Sequence, residues 1–266
     1  MRLLVLALFG VLLPQFSAQA KVPSEIPFQY RDGLIWLKVH VAGKSKPLNF
    51  LLDSGAGISG IDLQTSRSLG VQLRNRQNVQ GVNGQGFSYR VNDLQAVSGG
   101  IVLPRSVLAM DLCRLSSYCK RLVDGILGVD FFRGRIVQID FNEGRVRLLK
   151  KRDLNLANRE ILPIKICNDA FCIPVRVGGN PAQWTRLDTG CDAALQWVVS
   201  GIERARTGET SIALSGASVR YVSTSVQLGK QYFSAVPTGV HEEQIFRGEA
   251  GLLGNALLSK VSSNDR

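Results

Sequence analysis

Two aspartates stand in the same short turn at two places in the chain, as Leu52-Asp53-Ser54-Gly55-Ala56 and as Leu187-Asp188-Thr189-Gly190-Cys191. Each turn is answered downstream by a glycine-bounded apolar pair, Gly125-Ile126-Leu127-Gly128 and Gly251-Leu252-Leu253-Gly254. A lone Asp-Ser-Gly is an ordinary turn former; the repeat of the whole constellation is what carries meaning. Two carboxyls brought close together cannot both ionise readily, so they share one proton. One can then take a proton from water while the other polarises or protonates a carbonyl, which is acid-base hydrolysis without a metal or a covalent nucleophile. Titration of such a pair belongs to both groups jointly.

A loop that presents a carboxylate needs a tight base. A small hydroxyl residue followed by glycine supplies it at Ser54-Gly55 and Thr189-Gly190, and the two hydroxyls could bond across a junction between half-domains. The elements that lead into these turns read as short strands. Leu34 to Val41 alternates, with Ile35, Leu37, Val39 and Val41 on one face, and Leu48 to Leu52 runs straight into Asp53. Val79 to Gly86 is glycine-rich, and Asn83-Gly84 marks an exposed hairpin tip. Ile136 to Phe141 turns at Asn142-Glu143-Gly144 and returns through Val146 to Leu149. Leu63 to Leu69 and Val129 to Arg133 are the two short helical signals. The second half repeats the order: Phe171 to Val177, Trp184 to Leu187, the acidic turn, then a hairpin candidate over Leu214-Ser215-Gly216-Ala217. Tyr89 and Tyr221 follow Gly84 and Gly216 at the same distance. The expectation is an all-β chain with an internal duplication, one half over residues 21–150 and the other over 151–266.

Residues 1–20 place Arg2 before an apolar stretch from Leu3 to Leu13, then Ala18-Gln19-Ala20. This reads as a secretory signal peptide, the stretch being too short to span a bilayer; an uncleaved N-terminal anchor is the alternative. The expected mature protein starts at Lys21 and is periplasmic or secreted. The net charge of +11 loses only Arg2 with the signal. Lys and Arg are scattered, with a small cluster at Lys150-Lys151-Arg152 and no interleaved aromatics, so the charge is a solvated surface and nucleic acid is not an expected partner. Of five cysteines, Cys113 and Cys119 bracket a short loop, and Cys167 and Cys172 flank a hairpin turn. In an exported protein both pairs read as disulfides. Metal is the rival, but with only His40 and His241 beside them they make a poor zinc set. Cys191 reads as a small buried residue in place of Ala56.

At Phe50-Leu51-Leu52-Asp53-Ser54-Gly55-Ala56 and Gly125-Ile126-Leu127-Gly128-Val129-Asp130-Phe131-Phe132 the chain resembles the retropepsin-like aspartic proteases of the bacterial type, with two units fused as in pepsin-like enzymes. The resemblance runs from about residue 28 to 258 and is stronger in the first half. It implies a two-lobed acid-protease fold with barrel-like lobes and a cleft between them. It also implies Asp53 and Asp188 as the catalytic pair, and flaps around Gly84, Gly86 and Gly216 closing over an extended peptide, with Tyr89 and Tyr221 near them. Asp192 matches an acidic position that grips the substrate backbone in retroviral members, where the first half has Gly57. Two departures stand out: Cys191 where alanine is usual, and no counterpart in the second half to the hairpin Ile136 to Leu149.

The function these features imply is an exported aspartic endopeptidase, a monomer acting on protein or peptide without a cofactor or metal. The alternative is a degenerate protease fold that binds peptides without cleaving them.

Overall fold

The computed structural model describes residues 24–81, 84–154, 156, 159–199, 210–212 and 218–262. The expected signal peptide and the second hairpin tip, with Gly216, lie outside the described residues. No described helix is long and apolar enough to cross a membrane. The chain folds as two β-sheets, one from the first half and one from the second, which is the two-lobed all-β architecture of an acid protease.

The two sheets run in the same order. In the first, neighbours are Leu34–Val41, Leu48–Leu52, Gly125–Leu127, Gly60–Asp62, Val107–Met110, Gly84–Val91 and Arg74–Gly81. In the second they are Ala170–Val177, Gln183–Leu187, Gly251–Leu253, Leu195–Val198, Gln231–His241, Ser218–Leu228 and Thr210–Ile212. Pairing of Ala170–Val177 with Ser218–Leu228 closes six strands of the second sheet into a barrel.

In each lobe the glycine-bounded strand lies parallel to the strand that ends in the acidic turn. Ile126 and Leu127 pair with Leu51 and Leu52, and Leu252 and Leu253 pair with Arg186 and Leu187. A parallel partner needs a long crossover, which is why a long run of chain separates each turn from its answering segment. The last carbonyl of each segment receives the N–H of the acid itself: Asp53 N–H to Leu127 O at 2.9 Å, Asp188 N–H to Leu253 O at 2.9 Å. Each acidic turn is thereby fixed to a buried strand rather than to a loop.

Alternation on Leu34–Val41 holds, with Ile35, Leu37, Val39 and Val41 all buried in the first core beside Phe50, Leu52 and Phe131. Leu34 and Trp36, on the opposite face, are buried too, under the helix Cys113–Tyr118. That helix corrects the expected loop between Cys113 and Cys119. Six positions along a helix carry a side chain to a different face, and both residues are free thiols. Cys167 and Cys172 are free as well. The hairpin register sets Cys167 opposite Ala170 and Cys172 opposite Lys165, so they are diagonal neighbours, their thiols hydrogen-bonded, rather than facing partners.

The hairpin Ile136–Asp140 and Arg145–Leu149 forms, and its second strand pairs with the N-terminal strand Glu25–Arg31. Glu25 accepts from Arg145 and Arg147 there. In the second lobe the chain after Gly254 instead enters the helix Asn255–Ser262, with Leu257 buried in the second core.

Candidate active site

The two acidic turns meet tip to tip, and their hydroxyl residues interlock. Ser54 N–H donates to Thr189 Oγ1 at 2.9 Å, and Thr189 N–H donates to Ser54 Oγ at 3.1 Å. Each hydroxyl then donates onward to the partner lobe's strand end, Ser54 to Leu187 O at 2.7 Å and Thr189 to Leu52 O at 2.9 Å. Ser54 and Thr189 are both buried, so these four bonds lie in a low dielectric, where breaking one strands its partner.

The glycine after each hydroxyl has a different task. A Cβ on Gly190 would lie 2.5 Å from Asp53 Cγ, and one on Gly55 would press equally into the Asp188 carboxyl. Each turn's glycine is the surface on which the other lobe's carboxylate rests. Neither sits in the left-handed backbone region, so glycine is required here for space rather than for its backbone freedom.

The carboxyls of Asp53 and Asp188 share a hydrogen bond, and both line a cleft of ≈ 1070 Å³. That is the upper end of the size of small-molecule sites and open enough for an extended chain. Their surroundings differ. Asp53 Oδ1 accepts the N–H groups of Gly55 and Ala56, each at 3.0 Å, whereas Asp188 Oδ1 accepts only that of Gly190, at 2.9 Å. Burial raises both acids. The two N–H donors oppose that rise at Asp53. Asp188 feels burial and then the Asp53 charge, and is pushed up to about 8. With two N–H donors at Asp53 and one at Asp188, the geometry favours the negative charge on Asp53 and the shared proton toward Asp188.

A second pair of contacts flanks the acids. A side chain at Gly33, in the turn after the first strand, would meet Asp192 Cβ at 2.7 Å; one at Gly57 would meet Asp169 Cβ at 2.8 Å. The turn Asp32-Gly33 of one lobe and the turn Asn168-Asp169 of the other thus reach across to the opposite acidic loop. Arg133 reaches Asp169 at 3.4 Å, and Phe132 meets Phe171 edge-on with ring centroids 6.2 Å apart.

Among the other expected residues, Gly86 lines the cleft with Val79 and Phe87 of the first hairpin. Gly84 closes that hairpin opposite Gly81. Tyr221 also lines the cleft, accepting from Gln196 Nε2 at 2.9 Å. Tyr89 does not join it; paired with Ala109, it packs against the first core. Asp192 lies in the cleft wall, where its carboxylate accepts from the Tyr118 hydroxyl at 2.7 Å. Cys191 is buried, and burial followed by the charges of Asp188 and Asp192 pushes its thiol well up, which keeps it protonated. Asp62, Asp111 and Cys113 cluster as closely as a set of metal ligands would, but Asp62 is engaged by the N–H groups of Gln64, Thr65 and Leu112.

The residues that sequence reasoning missed are Arg186 and Glu249. Arg186, 2% exposed, sits two positions before Asp188 and donates to Glu249 through Nε and Nη2, each at 2.7 Å. Its Nη1 reaches the carbonyl of Gly55 in the other lobe at 2.6 Å. Only a charge two positions before the acid, where the first lobe has Leu51, could have pointed to it.

Two lobes, one acid each, a clasp between the acidic turns and a cleft above them define the aspartic-protease class of fold. Residues 37–131 match the family model described as an aspartyl protease. A stretch of 97 residues is 32% identical to the retrovirus-related Pol polyprotein from transposon 412 of Drosophila melanogaster, covering 36% of this chain and 7% of that protein. Over the first lobe, then, the chain is similar to the retropepsin-like aspartic proteases.

Proposed function

We propose that the chain is an exported aspartic endopeptidase that hydrolyses peptide bonds with a water activated between Asp53 and Asp188. The observation that carries this reading is the reciprocal seating of each carboxyl on the other lobe's glycine, which leaves the two acids hydrogen-bonded at the floor of an open cleft. In this reading Asp53, held by two N–H donors, is the base and Asp188 the acid. Asp53 removes a proton from water as the oxygen adds to the scissile carbonyl carbon, and Asp188 gives its proton to the carbonyl oxygen. Collapse of the resulting diol returns a proton to Asp188 while Asp53 passes the one it took to the leaving amine. Export rests on the character of residues 1–20. A substrate entering as an extended chain is supported by the ≈ 1070 Å³ volume of the cleft and by the Arg74–Gly81/Gly84–Val91 hairpin, whose Val79, Gly86 and Phe87 line it.

The test is cleavage of a peptide library by the protein from Lys21 onward, across acidic to neutral pH, with Asp53→Asn and Asp188→Asn alongside. Both substitutions should abolish turnover. Cleavage surviving in either variant removes the pair from the mechanism. Peptide binding by the wild type without turnover at any pH would favour a binding module instead.

A further inference from the structure

The strand position before the acidic turn is filled differently in the two lobes. Register equates Arg186, paired with Leu252, to Leu51, paired with Ile126. In the first lobe Leu51 and Ile126 join an apolar cluster under the helix Cys113–Tyr118. In the second lobe the same position holds a buried guanidinium, its plane against the ring of Phe246 with Arg186 Cζ 3.6 Å from the centroid. Glu249, also 2% exposed, is fixed in turn by Asn168 Nδ2 at 2.7 Å. A buried ion pair is a weak source of stability, because desolvation offsets most of its attraction. Leucine packs the equivalent site in the first lobe, so the fold alone does not call for charge here.

What the charge reaches is the acid pair. Arg186 Nη1 donates to Gly55 O at 2.6 Å, and that carbonyl belongs to the same peptide group as the Ala56 N–H, which donates to Asp53 Oδ1 at 3.0 Å. Hydrogen bonds in series polarise one another, so the guanidinium strengthens the donor that faces Asp53. We propose that Arg186 is a positioning residue for the acid pair: acting through the Gly55–Ala56 peptide and by its charge, it holds Asp53 as the ionised member, with Glu249 anchoring the guanidinium in place. The inference rests on the reading of Asp53 and Asp188 as the hydrolytic pair. It also makes the pair's asymmetry a property of the second lobe imposed on the first.

The groups facing Arg186 are Asp53, Asp188, Glu249 and the Cys172 thiol, with Asn168 and Phe246 completing its surroundings. Burial pushes the Cys172 thiol up, so it stays neutral over the acidic range and only the carboxyls titrate there. The charge of Arg186 lowers both members of the pair, so its removal raises them.

The test compares three variants of the whole chain. Arg186→Gln/Glu249→Gln removes both charges while keeping the shape polar, Glu249→Gln leaves the cation unopposed, and Arg186→Lys keeps the charge. Two readouts are taken: the acid limb of kcat/KM, and carbon-13 carboxyl titration of Asp53 and Asp188, which needs no turnover. The double variant should raise the acid limb and the Asp53 titration by about one pH unit, and Glu249→Gln should move both the other way. Arg186→Lys should stay within about 0.3 unit of the wild type, with kcat reduced more than KM rises. A double variant or a Glu249→Gln variant that melts cooperatively, yet titrates within about 0.3 unit of the wild type, overturns the role of Arg186. Should the wild type cleave nothing, the hydrolytic reading fails by itself, and the carboxyl titration still decides whether Arg186 governs the pair.

Discussion

Replacing Gly190 by alanine tests the seating of the acids with a single methyl group. The added Cβ would lie 2.5 Å from Asp53 Cγ and 2.6 and 2.8 Å from its two oxygens. Non-bonded carbons settle at about 3.5–4.0 Å, so the Asp53 carboxyl must retreat by about 1 Å. Misplacing a reacting group by that much costs on the order of a hundredfold in rate. Backbone strain plays no part, because Gly190 lies outside the left-handed region. Turnover of a cleavable peptide, measured as kcat and KM separately and beside a thermal melt, reads the effect. The expected result is a kcat about a hundredfold lower with a smaller change in KM. The carboxyl titrations should also draw together toward ordinary values as the shared hydrogen bond is lost. A Gly190→Ala protein that melts like the wild type and keeps kcat within about threefold would refute the reasoning.

Asp188→Asn bears on stability through pH. Asp188 is raised to about 8 in the folded protein, so between its unfolded value and there the native state binds the proton more tightly than the unfolded chain. That contribution is complete below about pH 4 and is lost as pH climbs toward the folded value. Asparagine imitates the protonated acid, so the variant should gain stability over the wild type near pH 8 and lose that advantage at about pH 4, as read by urea unfolding; an advantage that grew toward acid would contradict the assignment. Thr189→Val keeps shape but leaves the Ser54 N–H and the Leu52 carbonyl unpaired, an expected loss of about 2–4 kcal/mol; a loss below about 1 kcal/mol would show that the clasp is dispensable. Tyr118→Phe frees the Asp192 carboxylate for the backbone of a bound peptide, and KM should fall about twofold to tenfold with kcat steady. A raised KM would instead make Tyr118 itself a peptide contact.

The parts of this molecule legible in the chain are those whose signals are local. Asp53 and Asp188 each sit in a turn that repeats with its preceding strand, and Ile35, Leu37, Val39 and Val41 alternate as a half-buried strand must. The turn at Asn142-Glu143-Gly144 marks its hairpin outright. Other features depend on contacts made far away. Leu34 and Trp36 are buried because Cys113–Tyr118 covers them, and that six-residue helix has neither a side-chain cap nor room for an apolar period. Arg186 finds Glu249 63 positions on, a partner that no local spacing announces. Tyr89 and Tyr221 match in spacing, yet one faces a core and the other the cleft, since Gln196 offers the second a partner. Side-chain direction of that kind follows from packing rather than from order along the chain.

The contacts beside the acids are unlike in a matched way: Gly33 yields to Asp192, and Asp169 fills the space left at Gly57. Bulk on one face is answered by its absence on the other, as teeth are by notches. Two copies of the first lobe would bring notch to notch, Gly33 over Gly57, and leave an unfilled gap. Two copies of the second would drive Asp169 against Asp192, overlapping and of like charge. Shape and charge at these two contacts thus favour the joining of unlike halves, which gives the chain a fixed left and right.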